Sequence, residues 1–328
     1  MSWMRFKKDP ERILIITLSN IGDVYLTAPV VNAVWKAFPR ARLSVLVGVG
    51  AKEVFLDDPR LREIIPYDKR ASLREKFRWM RSLRKKKFDL VVDLRDSLIP
   101  FFIGAPHHTP LFARLPRNVL HKMDQHLWKL KAMGIPVEGA EVKPLWVRPE
   151  SEEKIRKCLR GFGIPMGDPF ILVSPGSKSD LKRWRASSFS KLSDRLRREK
   201  EFPLIFIGEE SDKPFVKMVT SFMEEPFHSL VGETSLPDLV ALIRASRLLV
   251  TNDSASLHIA SLLGIPTVAI FGPTDPKKYG PRSEAHRVVR KDLFCSPCEK
   301  AECPYHHECM EELPMEEVYQ ACLKLLTL

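Results

Sequence analysis

The chain has 328 residues, 44% of them hydrophobic, with a formal net charge of +12, which suits two hydrophobic cores better than one. No apolar run approaches the roughly 20 residues of a membrane span, and Ile13-Leu14-Ile15-Ile16, the first such run, is too short for a secretory signal. A monomeric cytoplasmic protein is expected, peripheral at most to a membrane, and the basic excess calls for an acidic partner: nucleic acid, an anionic membrane surface or a phosphorylated substrate.

Short apolar runs alternate with amphipathic segments from end to end, the pattern of parallel α/β sheets. In the first half, strands are expected at 13–18, 43–47, 64–66 and 90–94, with helices over 24–38 and 72–87. Segment 144–169, with Pro149 and Pro165 around a charged helix, reads as a junction. Strands then resume at 170–173, 204–207, 229–231, 248–250 and 267–271, with helices over 186–200, 212–224, 236–245 and 254–263. A last helix over 314–326 has no evident partner and is free to return to the first domain. The predicted architecture is two Rossmann-like domains, residues 1–148 and 149–328, whose parallel sheets face each other across a cleft. Gly48-Val49-Gly50 lacks the third glycine of a dinucleotide fingerprint, and no Gly-Lys-Ser/Thr phosphate loop is present. Nicotinamide dehydrogenases and P-loop kinases are thereby disfavoured.

Chemistry in such folds gathers at the carboxyl ends of strands. The first strand runs into Ser19-Asn20-Ile21-Gly22-Asp23. Gly22 permits close backbone approach, and Asp23 either caps the next helix or accepts a proton from a hydroxyl. Ser174-Pro175-Gly176-Ser177-Lys178 and Lys182-Arg183-Trp184 follow a later strand. Small residues, hydroxyls and cations there suit a diphosphate, or form a solvated basic loop. Glu209 and Glu210 end the next strand, where an acid accepts hydrogen bonds from ribose or simply faces water. Loop 232–237 starts a helix that would border a base pocket. Thr251-Asn252-Asp253-Ser254-Ala255-Ser256-Leu257-His258 is the most informative stretch, a polar loop opening a helix whose amides point at an anion.

Together these segments resemble the ADP-heptose:lipopolysaccharide heptosyltransferases, glycosyltransferase family 9, of GT-B fold. The carrying residues are Ser19 to Val24, Asp89-Leu90-Val91-Val92-Asp93-Leu94, Pro175-Gly176-Ser177 with Lys182 and Trp184, Thr251 to Ser254 with His258, and Phe271-Gly272-Pro273-Thr274-Asp275-Pro276. The resemblance implies inverting transfer of heptose from ADP-heptose to the lipopolysaccharide inner core, on Kdo or a heptose. It places the acceptor in the first domain and the sugar nucleotide in the second. Asp23 then matches the general base, and Lys182, assisted by Ser177, the group that stabilises the departing diphosphate. Asp253 matches a heptose contact, Ser254 and Ala255 a phosphate site, Glu210 or Glu209 a ribose acid. Many relatives have glycine where Ala255 stands. His258 matches the end of its motif, as a substrate contact or a helix anchor. No cofactor is required for the reaction so described, because Lys182 and helix amides meet the charge on ADP.

Ten basic residues and one acidic residue lie between Lys69 and Lys87, with Leu73, Phe77, Met80 and Leu83 at helical spacing. That stripe is expected to pack, leaving a cationic face toward solvent or anionic lipid. Arg95, Arg114, Arg117, His121 and Lys122 follow in first-domain loops as acceptor-binding candidates. Four of six cysteines form Cys295-x2-Cys298-x4-Cys303-x5-Cys309, with His306 and His307 inside the span. A structural metal, free thiols or a redox-sensitive disulfide each fit that spacing. Two other classes compete: a sugar-nucleotide epimerase of GT-B-like shape, and a nucleic-acid-binding protein. The basic first domain argues against the former. Successive polar loops at strand ends, and cations without interleaved aromatic platforms, argue against the latter.

Overall fold

The computed structural model describes residues 8–111, 115–140, 145–165, 167–282 and 284–327. The chain divides into two compact units, Met1–Trp146 and Val147–Leu328. The N-terminal unit runs β1 (Arg12–Ile16), α1 (Ile21–Tyr25), α2 (Ala28–Ala37), β2 (Arg42–Gly48), β3 (Leu61–Tyr67), α3 (Leu73–Lys85), β4 (Leu90–Asp93), α4 (Ile99–Ile103), β5 (His107–His108) and α5 (Lys122–Ala132). Its parallel sheet has the order β3-β2-β1-β4-β5. Ile13 to Ile16 are fully buried, as a strand covered on both faces requires.

The C-terminal unit contains α6 (Pro149–Gly161), β6 (Ile171–Ser174), α7 (Ala186–Lys200), β7 (Leu204–Phe206), α8 (Lys213–Thr220), β8 (His228–Ser229), α9 (Leu236–Ala245), β9 (Leu248–Asn252), α10 (Ala255–Leu263), β10 (Thr267–Ile270), α11 (Pro276–Tyr279), β11 (His286–Val289), α12 (Glu308–Glu311) and α13 (Met315–Leu326). Its parallel sheet has the order β11-β10-β9-β6-β7-β8. In both sheets the direction of strand succession reverses beside the unit's first strand, between β1 and β4 and between β6 and β9. An open α/β sheet presents its ligand crevice outside the carboxyl ends of those strands.

Several expectations change in the details. The helix expected over 24–38 is two helices, because Pro29 has no amide to donate and starts α2 in its first turn. The charged helix of the expected junction is α6, which packs on α9 and belongs to the C-terminal unit. The last helix, α13, also stays there. Val318, Tyr319, Cys322 and Leu325 enter the core that Phe189 and Leu196 of α7 share with β6 and β9. Among the described residues, no helix is long and apolar enough to cross a membrane.

The stripe of α3 is only half as expected. Ser72 and Glu75 form a capping box at its start. Leu83 is buried, and Trp79 and Met80 pack with it against Ile99 and Ile103 of α4. Leu73 and Phe77 instead stand 85% and 71% exposed.

Candidate active site

The site in the C-terminal unit is built on Asn252, the fully buried last residue of β9. Its Nδ2 donates to the Pro175 carbonyl at 2.7 Å, and its Oδ1 accepts from the Trp184 amide at 3.2 Å. One side chain thus closes both ends of the loop after β6. Ser177 Oγ donates to the Asp253 carbonyl at 3.3 Å, and Ser174 Oγ donates to Ser256 Oγ at 3.2 Å. The two loops flanking the strand-order reversal are thereby one structure.

On this frame Lys182 Nζ lies 2.7 Å from Asp253 Oδ2. Beside Asp253, α10 begins. Ser254 occupies its N-cap without capping it, since its hydroxyl meets Thr251 Oγ1 at 3.0 Å. Ser254 and Ala255 are half-buried, so the start of α10 is reachable from solvent, and a helix N-terminus attracts phosphate. His258 is 6% exposed within the body of α10, a position that suits the anchoring alternative.

The other cations of this loop are differently employed. Arg183 donates from Nε to the Ser177 carbonyl at 3.1 Å, pairs with Asp180 at 2.5 Å and Asp212 at 3.4 Å, and covers the Phe215 ring. It fixes the loop's shape; Lys178 is exposed. Gly176 is obligatory, because a Cβ there would sit 2.2 Å from the Asp212 carboxyl carbon. After β7, the Glu209 carboxylate is occupied in a capping box with Asp212, whereas Glu210 is 72% exposed and pairs with Lys213 at 2.9 Å. Glu210 also lies over the next loop, where a Cβ on Gly232 would come within 2.3 Å of its Oε2.

The cysteine-rich segment braces these loops. Cys298 and Glu299 amides donate to the Pro273 carbonyl at 3.0 and 2.8 Å, and Ser296 Oγ donates to the Gly272 carbonyl at 2.7 Å. A His307 ring nitrogen bonds the Leu181 carbonyl, next to Lys182, and Trp184 Nε1 donates to the Leu313 carbonyl at 3.1 Å. Burial, and then the neighbouring Cys303, Cys298 and Cys295 thiols, push the Cys309 thiol up to about 11. Among the described residues, no three His, Cys, Asp or Glu side chains are arranged to hold a metal. All six cysteines are free thiols.

In the N-terminal unit, Gly22 and Asp23 lie half-buried in α1, directly after β1. The capping alternative for Asp23 does not hold. Asn20 takes the N-cap position, and its Nδ2 donates to Asp23 Oδ2 at 3.0 Å. Across the reversal, the Asp93 carboxylate gathers the amides of Arg95 and Ser97 at 2.9 and 2.8 Å. Arg95 rests on the Tyr67 ring at 5.3 Å, with Nη1 buried and unpartnered.

Two acceptor candidates lie at the start of α5. His121 is buried and accepts the Met123 amide at Nδ1, capping α5, and Lys122 donates to Gln125 Oε1 at 3.2 Å within the same helix start. Each makes a hydrogen bond within the first turn of α5. Arg117 is exposed, and Arg114 lies outside the described residues. Asn252 and Trp184 stand in the sequence motifs without an assigned role and Asp212 is not singled out there, yet all three build the site. The visible signal was a polar Thr-Asn-Asp run closing an apolar strand.

A sequence profile of glycosyltransferase family 9 (heptosyltransferase) matches residues 76–308. The chain belongs to glycosyltransferase family 9. It is 26% identical over 307 residues to lipopolysaccharide heptosyltransferase 2 of Escherichia coli, covering 85% of this chain and 88% of that one. A family 9 glycosyltransferase structure from Veillonella parvula superposes with a TM-score of 0.85 at 26% identity, covering 97% of each chain. The structure of Escherichia coli ADP-heptose lps heptosyltransferase II shares the fold with a TM-score of 0.77 at 23% identity, over 96% of this chain and 98% of that one. This family 9 member is therefore a glycosyltransferase of GT-B fold, as its motifs imply.

Proposed function

We propose that the enzyme transfers heptose from ADP-heptose to the inner core of lipopolysaccharide with inversion at the anomeric carbon. One observation carries the reading: the Lys182–Asp253 pair stands beside the uncapped start of α10, where the C-terminal sheet reverses its strand order. A diphosphate needs such a combination of cation and free amides. The names of the similar proteins, lipopolysaccharide heptosyltransferase 2 among them, supply the sugar and the acceptor class.

In this mechanism Asp23 accepts the proton of the acceptor hydroxyl. The oxygen then attacks the anomeric carbon from the face opposite the leaving group, and the bond to the diphosphate breaks. Lys182 and the first amides of α10 meet the charge that grows on ADP, so the reaction asks for no divalent metal there. Ser177 assists by holding the Asp253 backbone. Asp253 meets the heptose and Ser254 with Ala255 the phosphate, while Glu210 takes the ribose. Arg95, with one guanidinium nitrogen buried and unpartnered, and exposed Arg117 are the groups for an anionic acceptor.

The test is incubation with ADP-heptose and a set of truncated lipopolysaccharides, in the presence and absence of a chelator, followed by mass spectrometry. One added heptose on an inner-core acceptor is expected under both conditions. Release of free or epimerised sugar with no acceptor modified would replace this reading with the epimerase alternative.

A further inference from the structure

The outward side of α3 combines two properties that seldom coincide. On a helical wheel Leu73, Phe77, Arg81 and Arg84 share one stripe, with Arg74, Arg78 and Lys85 alongside. The only acidic residue of this segment, Glu75, is turned to the Ser72 amide and hydroxyl. The neighbouring α4, packed on α3 through Leu83, Ile99 and Ile103, adds exposed Leu98, Phe101 and Phe102, at 56%, 53% and 60%. Five large apolar side chains therefore stand in water beside a dense row of cations.

That pairing selects the partner. A nucleic-acid duplex would satisfy the cations with its phosphates but leave Leu73, Leu98 and the three phenylalanines in water. A second copy of the chain would set like charges against each other across a two-fold contact. The interface of an anionic bilayer accepts both, with phosphates for the guanidinium groups and acyl-chain boundary for the apolar side chains.

We propose that the α3–α4 face of the N-terminal unit docks on anionic lipid bilayers, with Leu73, Phe77, Phe101 and Phe102 entering the headgroup boundary. The proposal rests on exposure and charge alone and stands apart from the sugar and acceptor assigned above.

The experiment is sedimentation of the full chain with vesicles of phosphatidylglycerol and phosphatidylcholine in equal parts, against vesicles of phosphatidylcholine alone. Binding is expected to the anionic vesicles only. Each cation near such a surface raises partitioning roughly fivefold, so Arg74→Gln/Arg78→Gln/Arg81→Gln together should lower it about a hundredfold. Leu73→Ser/Phe77→Ser should lower it by about tenfold or more, including at a salt concentration that screens the charges. Circular dichroism and heptose transfer to a delipidated, water-soluble acceptor should be unchanged in both variants. Loss of that transfer in the unmodified enzyme, with vesicle binding intact, would count against the proposed reaction and leave the docking face standing. The docking proposal is overturned if the unmodified chain ignores anionic vesicles, or if either variant binds them as well as the parent. It is overturned equally if duplex DNA competes fully and the Leu73/Phe77 variant is unaffected.

Discussion

The Lys182 ammonium lies 2.7 Å from Oδ2 of Asp253, and the pair is asymmetric: 31% of the lysine side chain is exposed against 6% of the aspartate. The lysine can therefore meet a ligand while its partner stays fixed by the protein. Removing it has two separable consequences. Lys182→Ala should lower kcat by about a hundredfold to a thousandfold, the usual cost of losing one charge-stabilising donor. It should also destabilise the fold by about 2 kcal/mol, less than a fully buried pair would lose, because Asp253 is left without its counter-charge. Adding Asp253→Asn to that variant should restore stability in urea denaturation but not turnover. Recovery of turnover in the double variant would make the lysine a structural counter-ion rather than a catalytic group.

Asp23 accepts one hydrogen bond from Asn20 and caps nothing, so its carboxylate is available for proton transfer. Asp23→Ala should reduce transfer by at least about a hundredfold, the contribution expected of a general base. ADP affinity measured by calorimetry should change little, because the nucleotide is assigned to the other unit. Weakened ADP binding in this variant would mean that Asp23 supports the fold and not the acceptor proton.

Asn252 joins residues 77 and 68 positions away in sequence, Pro175 and Trp184. Asn252→Ala leaves a carbonyl and an amide unpaired in a buried place and should cost about 2 kcal/mol or more. The loop that carries Lys182 then loses its closure, so KM for the donor should rise as well. Asn252→Asp keeps an acceptor for the Trp184 amide, loses the donor to Pro175, and should fall between parent and alanine variant. Unchanged donor KM in the alanine variant would show the clamp to be dispensable.

The bond pattern of Asn252 shows where sequence reading stops. The strand, the loop and the helix start around it follow from local signals: an apolar run, a polar turn and a helical period. The same is true of α7 and α9, whose bounds are as expected; at α9 the start is marked by Ser235 with Asp238 and by Pro237. What Asn252 bonds to depends on which strands become neighbours, and no local pattern encodes that. The stripe on α3 fails for a related reason. Leu73 and Phe77 fall on the same helical period as Met80 and Leu83, but periodicity does not reveal that only the later turns reach α4 and the sheet. His121 stands among the acceptor candidates because it follows a run of basic loop residues, and that run does not reveal that its Nδ1 accepts the Met123 amide at the start of α5.

The helix that His121 caps carries a built-in sensitivity to acid. His126 of α5 is buried, and neither ring nitrogen has a hydrogen-bond partner. Burial first, then the nearby charges of Lys129, Lys122 and His121, pull its pKa down to about 3. The unfolded chain takes up this proton near pH 6.5, the folded chain only near pH 3. Between those values the unfolded state binds more protons, so stability falls as the pH drops. The full contribution is present above pH 6.5 and is lost at about 1.4 kcal/mol per unit on the way down. Between pH 6.5 and pH 5 this one group should cost the N-terminal unit about 2 kcal/mol. His126→Leu, of similar volume and without a titrating nitrogen, should flatten the pH dependence by that amount. Urea midpoints for both proteins between pH 7.5 and 5 give the difference directly, with other titrating groups cancelling. Parallel curves would show that His126 finds a proton acceptor in the folded unit, and the acid sensitivity would then have to originate at another group.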